Sequence, residues 1–164
     1  MDENLARLER IYPNGKYVLI SPYKKEDWEG RKYDSKLDNK AALNRWKTAP
    51  LKYDEAQEAV SKGNRIGWIV PKGYVIVDID NDDDPRSQEY LENLLKKFEV
   101  NYSYNYTSRG IHILFQDPSM NIKSESHIKC GLNIVIDTRA NETGDIILPS
   151  NDPHRAWGEW RDFV

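Results

Sequence analysis

The stretch "VIVDIDNDDD", Val75–Asp84, joins an apolar run directly to a series of carboxylates. The first two carboxylates, Asp78 and Asp80, are separated only by Ile79. Alternate residues of a β-strand point to the same face, and their Cα atoms lie about 7 Å apart. The apolar run therefore predicts a strand, and the spacing predicts that Asp78 and Asp80 share one of its faces.

Two carboxylates this close repel each other and raise one pKa unless a cation neutralises them. Carboxylate oxygens are hard ligands that suit Mg²⁺ or Mn²⁺. A solvated turn explains the pair equally well, because Asn and Asp often cluster before a helix. A calcium loop running from Asp78 to Glu89 is disfavoured, because its sixth position needs glycine and holds Asp83.

Composition limits the classes of protein that fit. The chain has 164 residues and a net charge of −3, which suits one domain without an overall basic field. A local basic groove would still suffice for nucleic acid. The single cysteine, Cys130, fits a reducing compartment. No apolar run has membrane-spanning length and the N-terminus lacks a signal-peptide core, so we expect a cytoplasmic protein with no membrane partner.

Hydrophobic periodicity and turn residues predict an α+β fold with a mostly antiparallel mixed sheet. Three hairpin-like pairs are expected, one around Pro71–Gly73, one around Arg109–Gly110 and one formed by the last two strands. Helices are predicted at Glu3–Ile11, Lys40–Lys47 and Asp54–Ser61, and after an Asp84 cap and Pro85, with Tyr90, Leu91, Leu94, Leu95 and Phe98 as the buried face of the last helix. Strands are predicted at Tyr17–Ser21, Arg65–Val70, Tyr74–Asp78, Tyr102–Ser108, Ile111–Phe115, Leu132–Asp137 and Asp145–Pro149.

A second motif, "YTSRGIHILF", spans Tyr106–Phe115. Its small and polar residues let the backbone approach a ligand, and Arg109 adds a positive charge. His112 lies on the face of the pleat opposite its two isoleucine neighbours. A lone strand histidine is more often a half-buried structural residue. Together with Ser108, Arg109 and the glycine amide, however, His112 makes a plausible cradle for phosphate oxygens.

A third motif, "LNIVIDTRA", ends an apolar strand in Asp137 and places Arg139 on the same face. The alternative is a strand-terminal aspartate that begins a turn. Three carboxylates from two strands, with one histidine and two arginines, form the set that two-metal phosphoryl chemistry needs. Metal ions would bind a triphosphate and activate a hydroxyl, and the cationic side chains would stabilise the leaving pyrophosphate.

In order, "VIVDID", "TSRGIH" and "LNIVIDTR…GDIILPS" resemble the three motifs of the archaeo-eukaryotic primase superfamily. The resemblance is to the primase-polymerase domains of plasmid and phage replication proteins, and it covers roughly Lys40–Trp160. The family pattern is hydrophobic-Asp-x-Asp, then a Ser- and Gly-containing stretch ending in His, then hydrophobic-Asp. One departure is Arg109, which stands where many relatives have a glycine.

The resemblance implies an RRM-like catalytic module with a small N-terminal α/β subdomain, within one domain of residues 1–164 that can be part of a longer protein. It implies template-directed nucleotidyl transfer, as primer synthesis or extension. The implied partners are nucleoside triphosphates, a single-stranded DNA template with its primer, and a helicase or helical primase region in the full-length protein. The implied site comprises Asp78, Asp80 and Asp137 for two Mg²⁺ or Mn²⁺ ions, and His112, Ser108, Arg109 and Arg139 for the nucleotide.

Two other functions are kept as alternatives. A degenerate domain could bind nucleotide or single-stranded nucleic acid through its many tyrosines and tryptophans, although such a domain does not need all three acids. A replication-initiator nuclease needs two histidines flanking one apolar residue and a nucleophilic tyrosine, and Ile111-His112-Ile113 supplies only one histidine.

Overall fold

The computed structural model of the chain describes residues 1–80, 86–130 and 135–161. It has an α+β fold, as predicted, and each strand pairing with a described register is antiparallel. No helix in the described ranges is both long and apolar enough to cross a membrane. The helices are α1 Glu3–Ile11, α2 Lys25–Trp28, α3 Tyr53–Ser61 and α4 Ser87–Lys97. The strands are β1 Tyr17–Ile20, β2 Arg65–Ile69, β3 Tyr74–Asp80, β4 Ser103–Tyr106, β5 Gly110–Gln116, β6 Glu125–Lys129, β7 Val135–Ala140, β8 Asp145–Ile147 and β9 Ala156–Trp157.

The chain forms two compact units. The first comprises Met1–Ile69 and Asp145–Ala156, and the second comprises Val70–Gly144 and Trp157–Val164. One sheet has the strand order β1-β2-β8, and the other has the order β6-β7-β3-β5-β4-β9. That both units belong to one catalytic domain stays a prediction.

The first unit is held together by an apolar core and by a buried group of charges. Its β1, β2 and β8 contribute Val18, Ile20, Ile69 and Ile147 to one hydrophobic cluster. The Arg65 guanidinium donates to Asp38 Oδ1 at 2.7 Å and to Asp152 Oδ2 at 3.2 Å, and all three side chains are at most 3% exposed. Arg155 pairs with both carboxylates. The two arginines therefore balance the two aspartates away from water.

The second unit is built around β3. Because β3 and β4 each pair antiparallel with β5, they run parallel to each other with β5 between them. α4 makes the connection between β3 and β4, so these elements form a split β-α-β unit. On one sheet face Leu95 of α4 shares a buried cluster with Val77, Ile79 and other apolar residues. The alternation of β3 consequently places Asp78 and Asp80 on the opposite face.

The predicted pair around Arg109–Gly110 forms, as β4 with β5. Neither the pair around Pro71–Gly73 nor the pair of the last two predicted strands forms. β2 pairs with β1 and β8, whereas β3 pairs with β5 and β7. Each strand is thus already flanked on both sides, and the turn at Pro71–Gly73 carries the chain from one sheet to the other. The same holds for the second pair, because β7 lies between β6 and β3 and β8 pairs with β2.

The predicted helix at Lys40–Lys47 is also wrong. Leu43 N donates to Leu19 O at 2.8 Å, and Asn44 Oδ1 accepts from Leu19 N at 2.9 Å. Ala42 adds an isolated bridge to Ile20. The backbone of this segment covers the edge of β1, and that pairing replaces the internal hydrogen bonds of a helix.

The predicted apolar face of α4 is too wide. Leu95 is 7% exposed, but Tyr90 is 44% exposed and Phe98 is 69% exposed. The buried stripe is centred on Leu91 and Leu95, one helical turn apart, and Phe98 follows the last helical residue. The predicted cap at Asp84 and Pro85 lies outside the described residues, as does the Leu132–Ile134 part of the strand predicted to end at Asp137.

Gly110, at the start of β5, lies against the backbone of β3. A Cβ atom at this position would overlap with the carbonyl oxygen of Ile79. Gly110 is also the register partner of Asp80. The sequence predicted that the absence of a side chain at Gly110 lets a ligand approach the backbone. In the structure, the backbone of β3 occupies that space.

We predict that Gly110→Ala lowers the free energy of unfolding by about 3 kcal/mol, because the added methyl group forces β5 away from β3. Urea unfolding followed by circular dichroism measures this change. Ser108→Ala, two residues earlier and without added volume, is the control and should change the midpoint little. Equal midpoints for the two variants would contradict the close approach at Gly110.

A second stability prediction concerns Asp38. Burial alone would raise the pKa of its carboxyl, but the hydrogen bond and charge of Arg65, and then the charge of Arg155, lower that pKa below its ordinary value of 3.8. Asp38→Ala should cost about 3 kcal/mol near neutral pH, because it leaves buried guanidinium charge uncompensated. Because the pKa of Asp38 is lower in the folded state, its carboxylate stabilises the fold at pH values above 3.8. This stabilisation is lost as the pH falls through the folded-state pKa. Unfolding free energies of wild type and variant should therefore converge in acid, and a difference independent of pH would contradict the prediction.

Candidate active site

The carboxylates of β3 lie on the sheet face opposite α4. Val75 and Ile79 are fully buried, whereas Asp78 and Asp80 keep partly exposed side chains, at 14% and 32%. The predicted division of β3 into an apolar and an acidic face is present in the structure, although Ile76 on the acidic face is buried as well.

The strand register brings the other motifs to Asp78. In β5, His112 is the direct partner of Asp78, and in β7, Asp137 is its direct partner on the other side. Directly opposed residues of an antiparallel pair share a face, with Cβ atoms about 5 Å apart. Three residues that lie far apart in the sequence thus form one row across three adjacent strands, with Asp78 in the centre.

Cationic side chains approach the β3 carboxylates from both neighbouring strands. His112 Nε2 lies 3.5 Å from Asp78 Oδ1, and Arg139 Nη1 lies 3.6 Å from Asp78 Oδ2. Arg109 Nη1 lies 3.5 Å from Asp80 Oδ2. These separations exceed the 2.7–2.9 Å of a charge-assisted hydrogen bond by about 0.7 Å. The pairs are therefore electrostatic contacts, looser than the bond between Arg65 and Asp38 in the first unit.

The turn between β4 and β5 positions Arg109. Thr107 N donates to Gly110 O at 2.9 Å, and Gly110 N donates to Thr107 Oγ1 at 2.9 Å. This reciprocal bonding closes the turn and leaves Ser108 and Arg109 at its tip, both half-buried. Thr107 and Gly110, which were expected to line a ligand cradle, serve the turn itself. Ser108 and Arg109 lie at the tip of the turn, where the sequence predicted the phosphate cradle.

The Asp137 side chain also makes a contact with β6. His127 has a left-handed backbone with φ 55°, within a register irregularity between Glu125 and Ile128. Its N–H donates to Asp137 Oδ1 at 2.8 Å. Because β6 and β3 flank β7 on opposite sides, this hydrogen bond draws one carboxylate oxygen of Asp137 away from Asp78. The second oxygen of Asp137 is the one that can act together with Asp78.

Carboxylate oxygens are suitable ligands for a hard cation, and the strand register places these residues near one another. The side chains, however, are not oriented toward a common metal position. Within residues 1–80, 86–130 and 135–161, no group of three or more His, Cys, Asp or Glu side chains is arranged to hold a metal ion. Asp78 and Asp80 face cations from neighbouring strands, and Asp137 binds the β6 backbone. Metal binding by this triad therefore requires these side chains to turn toward one another.

The calcium-loop alternative is incompatible with the observed strand. Asp78 and Asp80 belong to β3, in which both residues have antiparallel partners in β5. An EF-hand needs its first ligands in a loop that follows a helix. The β3 acids are consequently parts of a sheet surface.

Two polar residues on this sheet face, Ser103 and Asn105, were not identified from the sequence as candidate site residues. Asn105 of β4 is the direct partner of His112 and is only 2% exposed. Trp160 donates its indole N–H to Asn105 Oδ1 at 2.8 Å. The alternation of tyrosine with small polar residues in "YSYNY" was the available signal, because it places Ser103 and Asn105 on the face of His112.

The arrangement combines carboxylates for cations with a histidine and two arginines for anions. Three carboxylates outnumber two guanidinium groups, so an isolated polyphosphate would meet net repulsion here. A polyphosphate that carries divalent cations would meet complementary charge at both kinds of side chain. Searches of protein-family models and of curated protein sequences find no match to this chain, so the assignment of a function depends on this geometry.

Proposed function

We propose that the chain is a primase-polymerase catalytic domain that performs metal-dependent, template-directed nucleotidyl transfer from nucleoside triphosphates. The observation that carries the proposal is the row His112–Asp78–Asp137 across three adjacent strands. Each member comes from a different one of the three motifs that resemble the archaeo-eukaryotic primase superfamily. If these charges served only to stabilise the fold, residues from the three motifs would not need to occupy directly paired positions on adjacent strands.

The topology around the row supports an RRM-like module. β3, α4 and β4 form a split β-α-β unit with β5 inserted, and α4 packs on the sheet face that does not carry Asp78. RRM-like sheets bind their ligands on the face that the helices leave free. In this proposal the second unit is the catalytic module, and the acidic face of its sheet receives the triphosphate and the primer end.

The three acids hold the metal ions in this proposal. Asp78 and Asp80 share one strand face, and Asp137 lies directly opposite Asp78, so a small rotation of side chains suffices to bring their oxygens together. When bound, Mg²⁺ or Mn²⁺ lowers the pKa of the primer hydroxyl and neutralises charge on the triphosphate. The acids orient these ions, and the sheet keeps the separation of the acids fixed.

The cationic side chains bind the phosphates. His112, Arg109 and Arg139 lie 3.5–3.6 Å from the carboxylates, and in this proposal they exchange these longer contacts for contacts with a triphosphate. Ser108, at the tip of the β4–β5 turn, adds a hydroxyl donor. Charge that develops on the departing pyrophosphate is stabilised by the same groups.

Neutralisation of the β3 acids should abolish synthesis. We expect Asp78→Asn with Asp80→Asn to reduce template-dependent incorporation by more than about 100-fold, because the ions lose two ligands. The measurement is extension of a labelled primer on a single-stranded DNA template with Mg²⁺ or Mn²⁺, and without a primer for initiation. Addition of a chelator to the wild type should produce the same loss.

The matched control is Glu58→Gln with Glu89→Gln, which removes two charges at exposed helix positions. It should retain full incorporation, and circular dichroism should show that both double variants are folded. Unchanged incorporation in the Asp78/Asp80 variant would contradict the enzymatic proposal. Nucleotide binding by the wild type without any turnover would favour the degenerate binding domain.

Arg139 should contribute to nucleotide affinity. Its guanidinium lies 3.6 Å from Asp78, and loss of a charged phosphate contact costs about 1.5–3 kcal/mol. Arg139→Ala should therefore weaken triphosphate binding by about 10- to 100-fold. Isothermal titration with Mg²⁺ present gives the affinity. Lys62→Ala, which removes an exposed cation at the C-cap of α3, is the control. An equal effect of the two substitutions would argue against a specific phosphate contact.

A further inference from the structure

Asn105 occupies a buried position between the candidate site and the C-terminal segment of the second unit. It is 2% exposed, and its strand partner is His112. On its other side lie Gly158 and Trp160. A Cβ atom on Gly158 would overlap with Tyr104, so the segment lies directly against β4.

The orientation of the Asn105 amide is fixed by its neighbours. Trp160 Nε1 and Gly158 N both contact the same amide atom, at 2.8 Å and 3.3 Å. Both groups are donors only, so the atom between them must be the carbonyl oxygen Oδ1. The amide nitrogen Nδ2 therefore points away from this segment. It is buried and has no hydrogen-bond partner in the structure.

His112 presents a complementary unsatisfied atom. Its Nε2 faces Asp78 Oδ1 on β3, at 3.5 Å. The two nitrogens of an imidazole ring point in widely different directions, so Nδ1 points away from Asp78. Nδ1 is buried and also lacks a hydrogen-bond partner. A buried donor on Asn105 and a buried acceptor site on His112 thus occur on directly paired residues.

We propose that Asn105 is a positioning residue that fixes the tautomer and the orientation of His112. The structure forms no hydrogen bond between its Nδ2 and His112 Nδ1. In this proposal a shift of the two side chains lets Nδ2–H donate to Nδ1, so Nδ1 is the unprotonated nitrogen. The ring proton is then on Nε2, which points to the acidic row. Leaving a buried polar group unpaired is unfavourable, and this contact satisfies two such groups together.

The consequence for the site is that His112 meets its ligand as a hydrogen-bond donor. A neutral imidazole in the other tautomer would present a lone pair to a phosphate oxygen and repel it. The catalytic role of this tautomer rests on the proposed function. The tautomer itself is a property of the folded protein without nucleotide or metal.

The test is ¹⁵N NMR of the imidazole groups in the histidine-labelled full chain, at alkaline pH, where neutral imidazole predominates. The chain has three histidines, and a His112→Gln variant identifies the signals of His112. We expect an acceptor-type shift for Nδ1 and a protonated, pyrrole-type shift for Nε2. A wild-type spectrum with the proton on Nδ1 overturns the proposal without any variant.

Asn105→Asp gives the sharpest comparison. One carboxylate oxygen can still accept from Trp160 and Gly158, but the other now accepts instead of donating. Both nitrogens of His112 then face a carboxylate, with Asp78 still at Nε2. We expect the proton occupancy of Nδ1 to increase relative to the wild type at the same pH. If this variant does not fold, Asn105→Ala replaces it and should give a mixture of both tautomers. An unchanged His112 spectrum in the folded variant overturns the proposal.

Ser103→Ala is the matched control. Ser103 lies on the same strand and face, is fully buried, and accepts from Arg161 N at 2.8 Å through its hydroxyl. Its loss disturbs the same C-terminal segment without touching His112, so the tautomer should not change. If the chain synthesises DNA, Asn105→Asp should also raise the nucleotide KM by about tenfold. Absence of synthesis in the wild type would contradict the proposed function and leave the tautomer result intact.

Discussion

The pairing of β3 between β5 and β7 is the constraint on which the candidate site depends. Asp78 meets His112 on one side and Asp137 on the other only in the observed register. A slip of one residue in either pair would turn the partner side chain to the face covered by α4. The burial of Val77 and Ile79 on that face excludes such a slip, and Gly110 allows β5 to approach closely enough for the register to hold. The apolar core thus determines the positions of the polar residues.

The charged groups around Arg65 in the first unit and around Asp78 in the second unit differ in the distances between opposite charges and in their exposure to solvent. In the first unit, Arg65 and Asp38 are joined by a 2.7 Å hydrogen bond between side chains that are 3% exposed. In the second unit, Arg139, Arg109 and His112 approach their acids at 3.5–3.6 Å, and the Arg109 and Arg139 side chains are about one-third exposed. Short buried pairs resist rearrangement, because separation would leave a charge without compensation. Loose pairs at a partly open surface can exchange partners with an arriving ligand at little cost.

The sequence allowed the strands of the three motifs to be predicted from their apolar residues. Two of these runs end in an aspartate, and the third, Ile111–Phe115, contains His112. The sequence also allowed the pairing of β4 with β5 around Arg109–Gly110 to be predicted, but not the other strand pairings. The turn at Pro71–Gly73 has the local chemistry of a hairpin, yet both adjoining strands take other partners from distant parts of the chain. β6 escaped prediction because "ESHIK" lacks a regular apolar alternation and is mostly exposed. Asn105 escaped because an asparagine in a strand has no chemical meaning until its partner across the sheet is known.

Asn105 also explains how a residue remote from the acids can affect the site. Trp160 and Gly158 donate to its carbonyl oxygen, its strand partner is His112, and the imidazole lies 3.5 Å from Asp78. A donor at one end of this series determines which atom can donate at the next, because an amide and a neutral imidazole each have one donor side and one acceptor side. The direction of the hydrogen bonds is therefore set by the tryptophan N–H, which can only donate. That directionality makes the C-terminal segment part of the electrostatics of the acidic row, in addition to its packing against β4.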